Sequence, residues 1–151
     1  MGRTMALKST IHKAALQIAD MDRGVYADRS VTIARHPSET DERMMVRLLA
    51  YALAVPGDER DGALEFTKGL SDADEPALWR KDLTGAIEQW IEVGQPDERR
   101  LAKAAGRAAD VRVWAYSAST PIWWAAIAGK VARLRGLEVW QIDAAQSQAL
   151  A

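Results

Sequence analysis

The sequence predicts a mixed α+β fold in which helices flank a central mixed β-sheet and a β-hairpin comes first. Segments with apolar residues at every second position alternate with segments that have the spacing of an amphipathic helix. Near the C-terminus a strand, a helix and another strand follow one another, an order that gives parallel strands with a right-handed crossover. In the middle of the chain, two extended segments are separated only by a turn, which favours antiparallel pairing.

Length and composition are those of one domain. A chain of 151 residues can bury a core without disulfides or a structural metal, so we expect a single domain over 1–151, with residues 1–4 as an extension before Met5. The absence of cysteine excludes a disulfide framework, a thiolate zinc site and a cysteine nucleophile.

Charge and hydropathy restrict the partners. No apolar run approaches the roughly 18 residues that cross a bilayer, and the N-terminus lacks the apolar segment of a signal peptide. We therefore expect a cytoplasmic protein without a membrane partner. The net charge of −1 gives no overall attraction to nucleic-acid phosphates, so any such binding must be local.

The N-terminal segment predicts a β-hairpin. Two extended stretches flank "DMDRG", whose Asp and Gly suit a turn. Apolar residues of one parity in the second arm indicate a strand with one buried face. They are Val25, Ala27, Val31 and Ile33. His12 and His36 have no neighbouring ligand pattern and are interpreted as structural or surface residues.

The run "HPSETDERMMVRLLAYAL" predicts the first helix. Ser38 is its expected N-cap, and Asp41 three residues on makes an Asp variant of the capping box. The predicted apolar stripe contains Met45, Leu48, Leu49 and Ala52. Arg43 and Arg47 fall on the opposite side at 100° per residue. Glu42 lies on the flank of the stripe, where it either complements the helix dipole or points toward whatever the helix packs on.

Three short strands are predicted next, in "ALEFTKGL", "ALWRKDL" and "AIEQWIEVG". In the third, alternation puts Trp90 and Glu92 on one face and the aliphatic residues on the other. Gly94 indicates a bulge or a close backbone approach, which could swing Gln95 back to the side of Glu92.

The C-terminal third predicts a helix in "PDERRLAKAAGRAA" and then a βαβ unit. Its strands are "DVRVWAYS" and "GLEVWQI", and its helix "TPIWWAAIAGKVARL" has Thr120 as cap and Pro121 at the first position. Helical spacing predicts four core residues in this helix, with Trp123 at their edge. They are Trp124, Ile127, Ala128 and Val131.

Acidic residues from three elements could form a metal site. Asp74 and Glu75 precede Pro76 at the entrance to the second strand, Glu92 lies on the third strand, and Glu42 on the helix. Oxygen ligands of this kind suit Mg²⁺ or Mn²⁺, which bind a few carboxylates together with a substrate's phosphate. Such a metal polarises a phosphodiester and lowers the pKa of an attacking water. Solvated acidic faces are the alternative interpretation, because 27% of the residues are charged.

Several joined motifs resemble the YaeQ family of bacterial proteins. They are "ARHPSETDERMMVRLLAYAL", "LEFTKGLS", "DEPALW", "WIEVGQPDERR" and "PIWW". The resemblance runs from about Met5 to the final strand and implies a variant of the restriction-endonuclease-like fold of the PD-(D/E)XK superfamily. In that superfamily a helix precedes a three-stranded meander, and a helix and a further strand follow it. Carried over, Asp74 or Glu75 fills the first acidic place, Glu92 the second, and Glu42 is the helix acid.

The chain departs from the superfamily motif at its lysine and from the family in its C-terminus, which is shorter. Alternation puts Gly94 in the lysine place, and the nearest polar side chain is Gln95. Glutamine can hold a water but brings no positive charge to a developing phosphorane. Two functions stay open: an Mg-dependent nuclease-like phosphodiester hydrolase, or a catalytically inactive nuclease-fold module that binds nucleic acid or protein in a regulatory role. A structural interaction domain that uses its tryptophans is a third.

Basic side chains could contact a phosphate backbone if they gather near the acidic residues. They are Lys68, Arg80, Lys81, Arg99, Arg100, Lys103 and Arg107. Arg80 and Lys81 are expected to lie closest to the acidic positions and are, with Lys68, the first candidates for phosphate contact. Solvated faces are again the alternative.

Overall fold

A computed structural model describes residues 8–68 and 74–151. The elements in chain order are β1 (Thr10–Asp20), β2 (Val25–Arg35), α1 (Asp41–Ala54), β3 (Leu64–Phe66), β4 (Leu78–Lys81), β5 (Ile87–Val93), α2 (Glu98–Arg107), β6 (Ala108–Ala115), α3 (Thr120–Val131), β7 (Leu137–Gln141) and α4 (Ala144–Leu150). The predicted mixed α+β fold is confirmed. The expected extension at residues 1–4 lies outside the described residues.

The first two strands form an antiparallel two-stranded sheet, as the hairpin prediction required. Gly24 closes the turn with a φ of 67°, in the left-handed region that favours glycine. On the inner face of the hairpin, Leu16, Ile18 and Val31 pack against the apolar cluster beneath α1. The alternating pattern therefore places one face of the hairpin on the core.

The other five strands form one sheet in the order β3-β4-β5-β6-β7. The first three are an antiparallel meander, and β6 and β7 run parallel to β5. The C-terminal ends of β5, β6 and β7 consequently lie at the same edge as the N-terminal end of β4. We name this the carboxyl edge; Ala77, Val93, Ala115 and Gln141 mark it. Ligands of open sheets with parallel strands usually bind outside such an edge.

Two apolar clusters cover the two faces of this sheet. The cluster beneath α1 includes Val46, Leu78 and Ile91, and the opposite cluster includes Trp90 and Leu101. Strand β5 contributes to both, because alternate side chains leave opposite faces. The predicted parity of this strand is confirmed from Trp90 to Val93, and residues 89–93 are buried on both sides. Ile87 packs against the Trp90 cluster instead, where the pairing of β4 with β5 shifts register.

Helix α1 begins two residues later than the predicted cap requires. Its N-cap is Thr40, whose hydroxyl accepts a hydrogen bond from the Arg43 backbone N–H at 3.1 Å. Ser38 is not the cap, because its hydroxyl lies 2.7 Å from Nδ1 of His36.

The buried face of α1 also differs from the predicted stripe. The predicted residues Met45, Leu48, Leu49 and Ala52 are half-buried, whereas Met44, Val46, Ala50 and Tyr51 are buried. Arg47, which was expected to face solvent, is only 3% exposed. Its guanidinium Nε and Nη2 donate to Glu39 at 2.9 and 2.6 Å, and Nη2 donates to the Ala34 carbonyl at 2.7 Å. The prediction was wrong here because a carboxylate before the helix neutralises the buried charge.

Helix α3 follows β6 and leads to the parallel strand β7, which confirms the predicted βαβ unit. Its N-cap is Ser119 rather than Thr120. Ile127 and Val131 are buried as predicted, but Trp124 is 37% exposed. The core prediction for Trp124 was therefore wrong.

The chain continues into α4, a short helix that the sequence did not predict. Asp143 caps it by accepting from the Ala145 N–H at 2.8 Å. Its Ala- and Gln-rich sequence has no apolar stripe, so periodicity gave no signal. Among the described residues, no helix is long and apolar enough to cross a membrane.

Candidate functional site

Glu92 lies near the end of β5 and is only 4% exposed, so it is not on a half-solvated face. Its Oε1 accepts hydrogen bonds of 2.8 Å from Trp90 Nε1 and from Arg100 Nε. Burial raises the pKa of the Glu92 carboxyl above its ordinary value, although the Arg100 charge and both hydrogen bonds act to lower it. A buried acid bound to a guanidinium is the centre of the candidate site.

Arg100 reaches this acid from the first turn of α2. The helix is fixed there by its N-cap Asp97, whose carboxylate accepts from the Arg100 N–H at 2.8 Å. The Arg100 side chain is 29% exposed, and its Nη2 donates to the carbonyl of Glu75 at 2.6 Å. The Arg100 guanidinium thus binds the Glu92 carboxylate and the backbone carbonyl of Glu75. The sequence indicated Asp74 or Glu75 for the first acidic place and Glu92 for the second.

Asp74 and Glu75 turn their carboxylates to different neighbours. The exposed Asp74 forms an ion pair with Lys103 Nζ of α2, and this pairing holds the pKa of Asp74 below its usual range. Arg107 Nη1 donates to the Asp74 carbonyl at 3.0 Å. The Glu75 Oε2 accepts from the Lys68 backbone N–H at 3.0 Å, on the side of β3. Glu75 thus contacts Arg100 through its backbone carbonyl and Lys68 through its carboxylate.

Glu42 accepts a hydrogen bond from the Ser147 hydroxyl of α4 at 3.3 Å. The same hydroxyl lies 3.2 Å from the Tyr116 carbonyl, just beyond β6. This predicted helix acid is therefore tied to the C-terminal helix.

The predicted metal ligands are not grouped together in this arrangement. In the ranges 8–68 and 74–151, no three His, Asp or Glu side chains form a group that could hold a metal ion. Glu92 and Asp74 bind cationic side chains instead.

Gly94 makes a turn after β5 and not a close backbone approach, since a Cβ at this position would meet no atom within 4 Å. Its φ of 106° favours glycine, and its N–H donates to the Trp114 carbonyl at 2.9 Å. The turn directs the Gln95 amide to the loop between β6 and α3. There Nε2 donates to the hydroxyls of Ser117 and Ser119 at 2.6 and 2.8 Å.

The two serines were not predicted as site residues. Their hydroxyl oxygens lie 2.8 Å apart, and Ser119 is the N-cap residue of α3. Within the described chain its hydroxyl makes no capping bond, because it is turned to Gln95 and Ser117. The motif "SAST" before "PIWW" was the only signal for this cluster of neutral donors at the carboxyl edge.

The basic residues do not gather as expected. Arg80 pairs with Gln89 and Lys81 with Ile87, three and five positions before Glu92 on β5. At the rise of a strand these positions are roughly 10 and 17 Å from Glu92, toward the opposite edge of the sheet. Arg100, Lys103 and Arg107 of α2 lie nearer the acidic positions. The expectation that Arg80 and Lys81 lie closest does not match this register, while their contact with phosphate stays a prediction.

A cavity of about 700 Å³ opens beside the entrance to β4. Its lining includes Lys68 and Glu75, two predicted site residues, together with His36 and Trp79. The structure therefore places Glu75 and Lys68 at this cavity and apart from the buried Glu92 site.

Fold and site define a mixed α+β protein whose central strand ends in an arginine-bound acid. The family model described as YaeQ protein matches residues 5–151. The chain belongs to the YaeQ family, as its motifs predicted.

Curated relatives and solved structures agree with this assignment. "Uncharacterized protein YaeQ" of Salmonella typhi is 49% identical over 143 residues, covering 94% of this chain and 76% of that protein. The Escherichia coli (strain K12) protein of the same description is 48% identical over 140 residues, covering 92% and 75%. The crystal structure of YaeQ protein from Xanthomonas axonopodis pv. citri has a TM-score of 0.86 at 50% identity, covering 94% of this chain and 78% of that one. The Pseudomonas syringae structure has a TM-score of 0.88 at 42% identity, covering 95% and 76%.

Proposed function

We propose that this YaeQ-family chain is a catalytically inactive nuclease-like module that binds nucleic acid in the bacterial cytoplasm. The observation that supports this proposal is the Glu92–Arg100 pair. A guanidinium lies at hydrogen-bond distance from the acid that a metal-dependent nuclease would use. In this proposal Arg100 occupies the place of a catalytic metal, so the phosphate backbone is bound but not hydrolysed.

Two features argue against turnover. A divalent cation at Glu92 has to displace Arg100 from a buried carboxylate, where charge pairs are strong because the local dielectric is low. In addition, Gly94 stands in the lysine place and the Gln95 amide is bonded to two serines. The strand then brings no cation to stabilise a phosphorane.

Binding is supported by the basic face of α2. Arg100, Lys103 and Arg107 are spaced by three and four residues, which puts them on one side of the helix. The Arg107 guanidinium lies 5.1 Å from the centroid of the Trp90 ring, a cation–π contact that orients it. The Lys103 side chain is 52% exposed and can exchange its Asp74 partner for a phosphate. Because the net charge of −1 gives no overall attraction to phosphates, binding needs a local group of basic side chains, and this face of α2 provides one.

The second candidate is an Mg²⁺- or Mn²⁺-dependent phosphodiester hydrolase with the restriction-endonuclease-like, PD-(D/E)XK type of fold. It is favoured by the Arg100 side chain, which binds both the Glu92 carboxylate and the backbone carbonyl of Glu75 and so brings the two acidic positions near each other. In this candidate Glu42, Asp74 or Glu75, and Glu92 are the metal ligands, and Gln95 orients the attacking water. It requires that Arg100 moves and that the carboxylates regroup.

Binding of labelled single- and double-stranded DNA and RNA in EDTA, followed by fluorescence anisotropy, tests the first candidate. Replacing both Lys103 and Arg107 by alanine should weaken binding and reduce the salt slope by about 0.7–0.9 for each phosphate that is no longer neutralised. Arg133→Ala, an exposed arginine after α3, is the matched control and should change nothing. The same assay with Lys68→Ala, Arg80→Ala and Lys81→Ala tests the phosphate contacts predicted from sequence.

Product analysis in Mg²⁺ and Mn²⁺ separates the two candidates. The first predicts no cleavage by the wild-type protein. Metal-dependent cleavage that Glu92→Gln abolishes would establish the second. Absence of binding to every nucleic acid would overturn both.

A further inference from the structure

A groove of about 360 Å³ lies between the first turns of α3 and strand β7, at the carboxyl edge. Its lining includes Thr120, Pro121, Trp124, Ala125, Val139 and Gln141. Most of these side chains are apolar, and the polar ones come from the ends of the two elements. The volume is within the usual range of small-molecule sites.

The walls of the groove suit a flat ring. Trp124 is 37% exposed. Its neighbour Trp123 is half-buried and donates its Nε1–H to the Pro96 carbonyl at 2.9 Å. Helical geometry turns Trp124 by about 100° from Trp123, away from α2 and toward β7. An indole surface therefore borders the groove beside Val139, which packs against the cluster beneath α2 and α3.

The polar end of the groove contains an unusual hydroxyl. Thr120 is only 3% exposed, and its Oγ1 has no hydrogen-bond partner among the residues that the structure describes. Buried hydroxyls are nearly always bonded, so an unpaired one points to a polar group that completes it. The Gln141 amide on the same groove can both donate and accept.

We propose that this groove binds a base of single-stranded nucleic acid. A purine or pyrimidine offers a flat face for Trp124 and donors and acceptors on its edge for Thr120 and Gln141. A duplex hides both features in its base pairs and stacks. The inference rests on the proposed function and adds to it a preference for single strands.

The position of the groove connects it to the N-terminal end of α2. Thr120 follows Ser119, whose hydroxyl accepts from Gln95, and Gln95 lies just before α2. Helices α2 and α3 are neighbours, with Lys130 Nζ 4.0 Å from a Glu98 oxygen. Lys103 and Arg107 lie about 140° and 180° around α2 from Glu98, so the basic face points away from α3 and a strand that contacts both sites has to pass around the carboxyl edge.

Titration of the full chain with adenosine and cytidine, followed through the indole N–H signals in NMR spectra, tests the groove without phosphate contacts. The Trp124 signal, assigned by its loss in Trp124→Phe, should shift on titration. Trp124→Ala should weaken nucleoside binding on the order of tenfold, the effect of removing one base–aromatic stack, while Trp124→Phe should retain most of it. Thr120→Val, which keeps the shape and removes the hydroxyl, should weaken it less. Ile122→Ala, at a 77% exposed position outside the groove lining, is the matched control.

The outcomes distinguish the groove from the proposed function. Nucleoside shifts that are unaffected by loss of Lys103 and Arg107, together with weaker single-strand binding in Trp124→Ala, would support the groove. Oligonucleotide binding without any nucleoside shift at Trp124 would overturn the groove and leave the proposed function standing. Nucleoside binding at Trp124 without oligonucleotide binding would support the groove and overturn the proposed function.

Discussion

Two buried carboxylates in this protein are each bound by arginine, and they differ in how far the arginine reaches solvent. Glu39 and Glu92 are both 4% exposed. The side chain of Arg47, the partner of Glu39, is 4% exposed, whereas that of Arg100, the partner of Glu92, is 29% exposed. The first pair lies between α1 and β2, and the second lies at the carboxyl edge of the sheet.

The difference separates a structural pair from a candidate binding site. Glu39 and Arg47 are both sealed inside the protein, and Arg47 also binds the Ala34 carbonyl, so their contact joins α1 to β2. Arg43 of α1, whose side chain is 16% exposed, forms a second ion pair with Glu39. At Glu92 the arginine side chain is partly exposed at the surface of the carboxyl edge. Both sites pair a glutamate with an arginine, and they differ in how exposed the arginine side chain is.

The largest expected effect comes from breaking the sealed pair. Glu39→Gln leaves Arg47 buried without a negative partner, so the free energy of unfolding should fall by about 3–5 kcal/mol. Urea denaturation measures it. The double variant with Glu39→Leu and Arg47→Met removes the two sealed charges and should lose less, since the Arg43 side chain that remains is 16% exposed and reaches water. An equal or larger loss would contradict the role of the uncompensated charge of Arg47.

Removing the half-exposed cation at the second pair should cost less. Arg100→Ala leaves Glu92 to be neutralised by protonation, so we expect a loss of about 1–3 kcal/mol. The Arg100 charge is the largest influence that lowers the pKa of Glu92, so this pKa should rise further in the variant. NMR titration of the Glu92 carboxyl checks the direction, and a fall in pKa would contradict it.

Glu92→Gln should lose about 1–2 kcal/mol at acidic pH, and its deficit should depend on pH. Because the folded pKa of Glu92 is raised, its contribution to stability is present below the unfolded value of about 4.3 and is lost as pH rises through the folded value. The stability gap between wild type and variant should therefore shrink from acidic to neutral pH. Urea denaturation at acidic and at neutral pH measures the difference in unfolding free energy between wild type and variant. A difference that grows toward neutral pH would mean that the pKa of Glu92 is lowered in the folded protein.

The smallest effect is expected at the exposed pair of Asp74 and Lys103. Lys103→Ala should change the free energy of unfolding by less than about 0.5 kcal/mol, since exposed ion pairs contribute little. The same change should raise the pKa of Asp74 toward its ordinary value and weaken nucleic-acid binding. A large loss of stability would mean that the Lys103 ion pair holds the fold together, as the Arg47 ion pair does.

Local pattern predicted most of the fold. The hairpin, the antiparallel meander, the parity of β5 and the βαβ unit depend on period-2 or helical spacing within one segment. Helix α4 has no such spacing, and the start of α1 depended on which of two hydroxyls, Ser38 or Thr40, was free to cap.

The site was less predictable because its contacts join different elements. Glu92 was identified from its strand position, but its partner Arg100 comes from the next helix. Gly94 indicated that Gln95 could swing back to the side of Glu92, but the strand could not show that Ser117 and Ser119 receive the amide. Arg47 and Trp124 were misplaced for the same reason: burial of a charge or a ring is decided by what packs against the helix, which periodicity does not contain.

The most direct test of the central claim compares single-strand binding by the wild-type protein in EDTA and in Mg²⁺, with the reaction products separated afterwards. If Arg100 stands in place of a divalent cation at Glu92, binding should be at least as tight in EDTA as in Mg²⁺, and the strand should remain intact in both buffers. Binding that requires Mg²⁺, or cleavage in Mg²⁺ that Glu92→Gln abolishes, would contradict the claim.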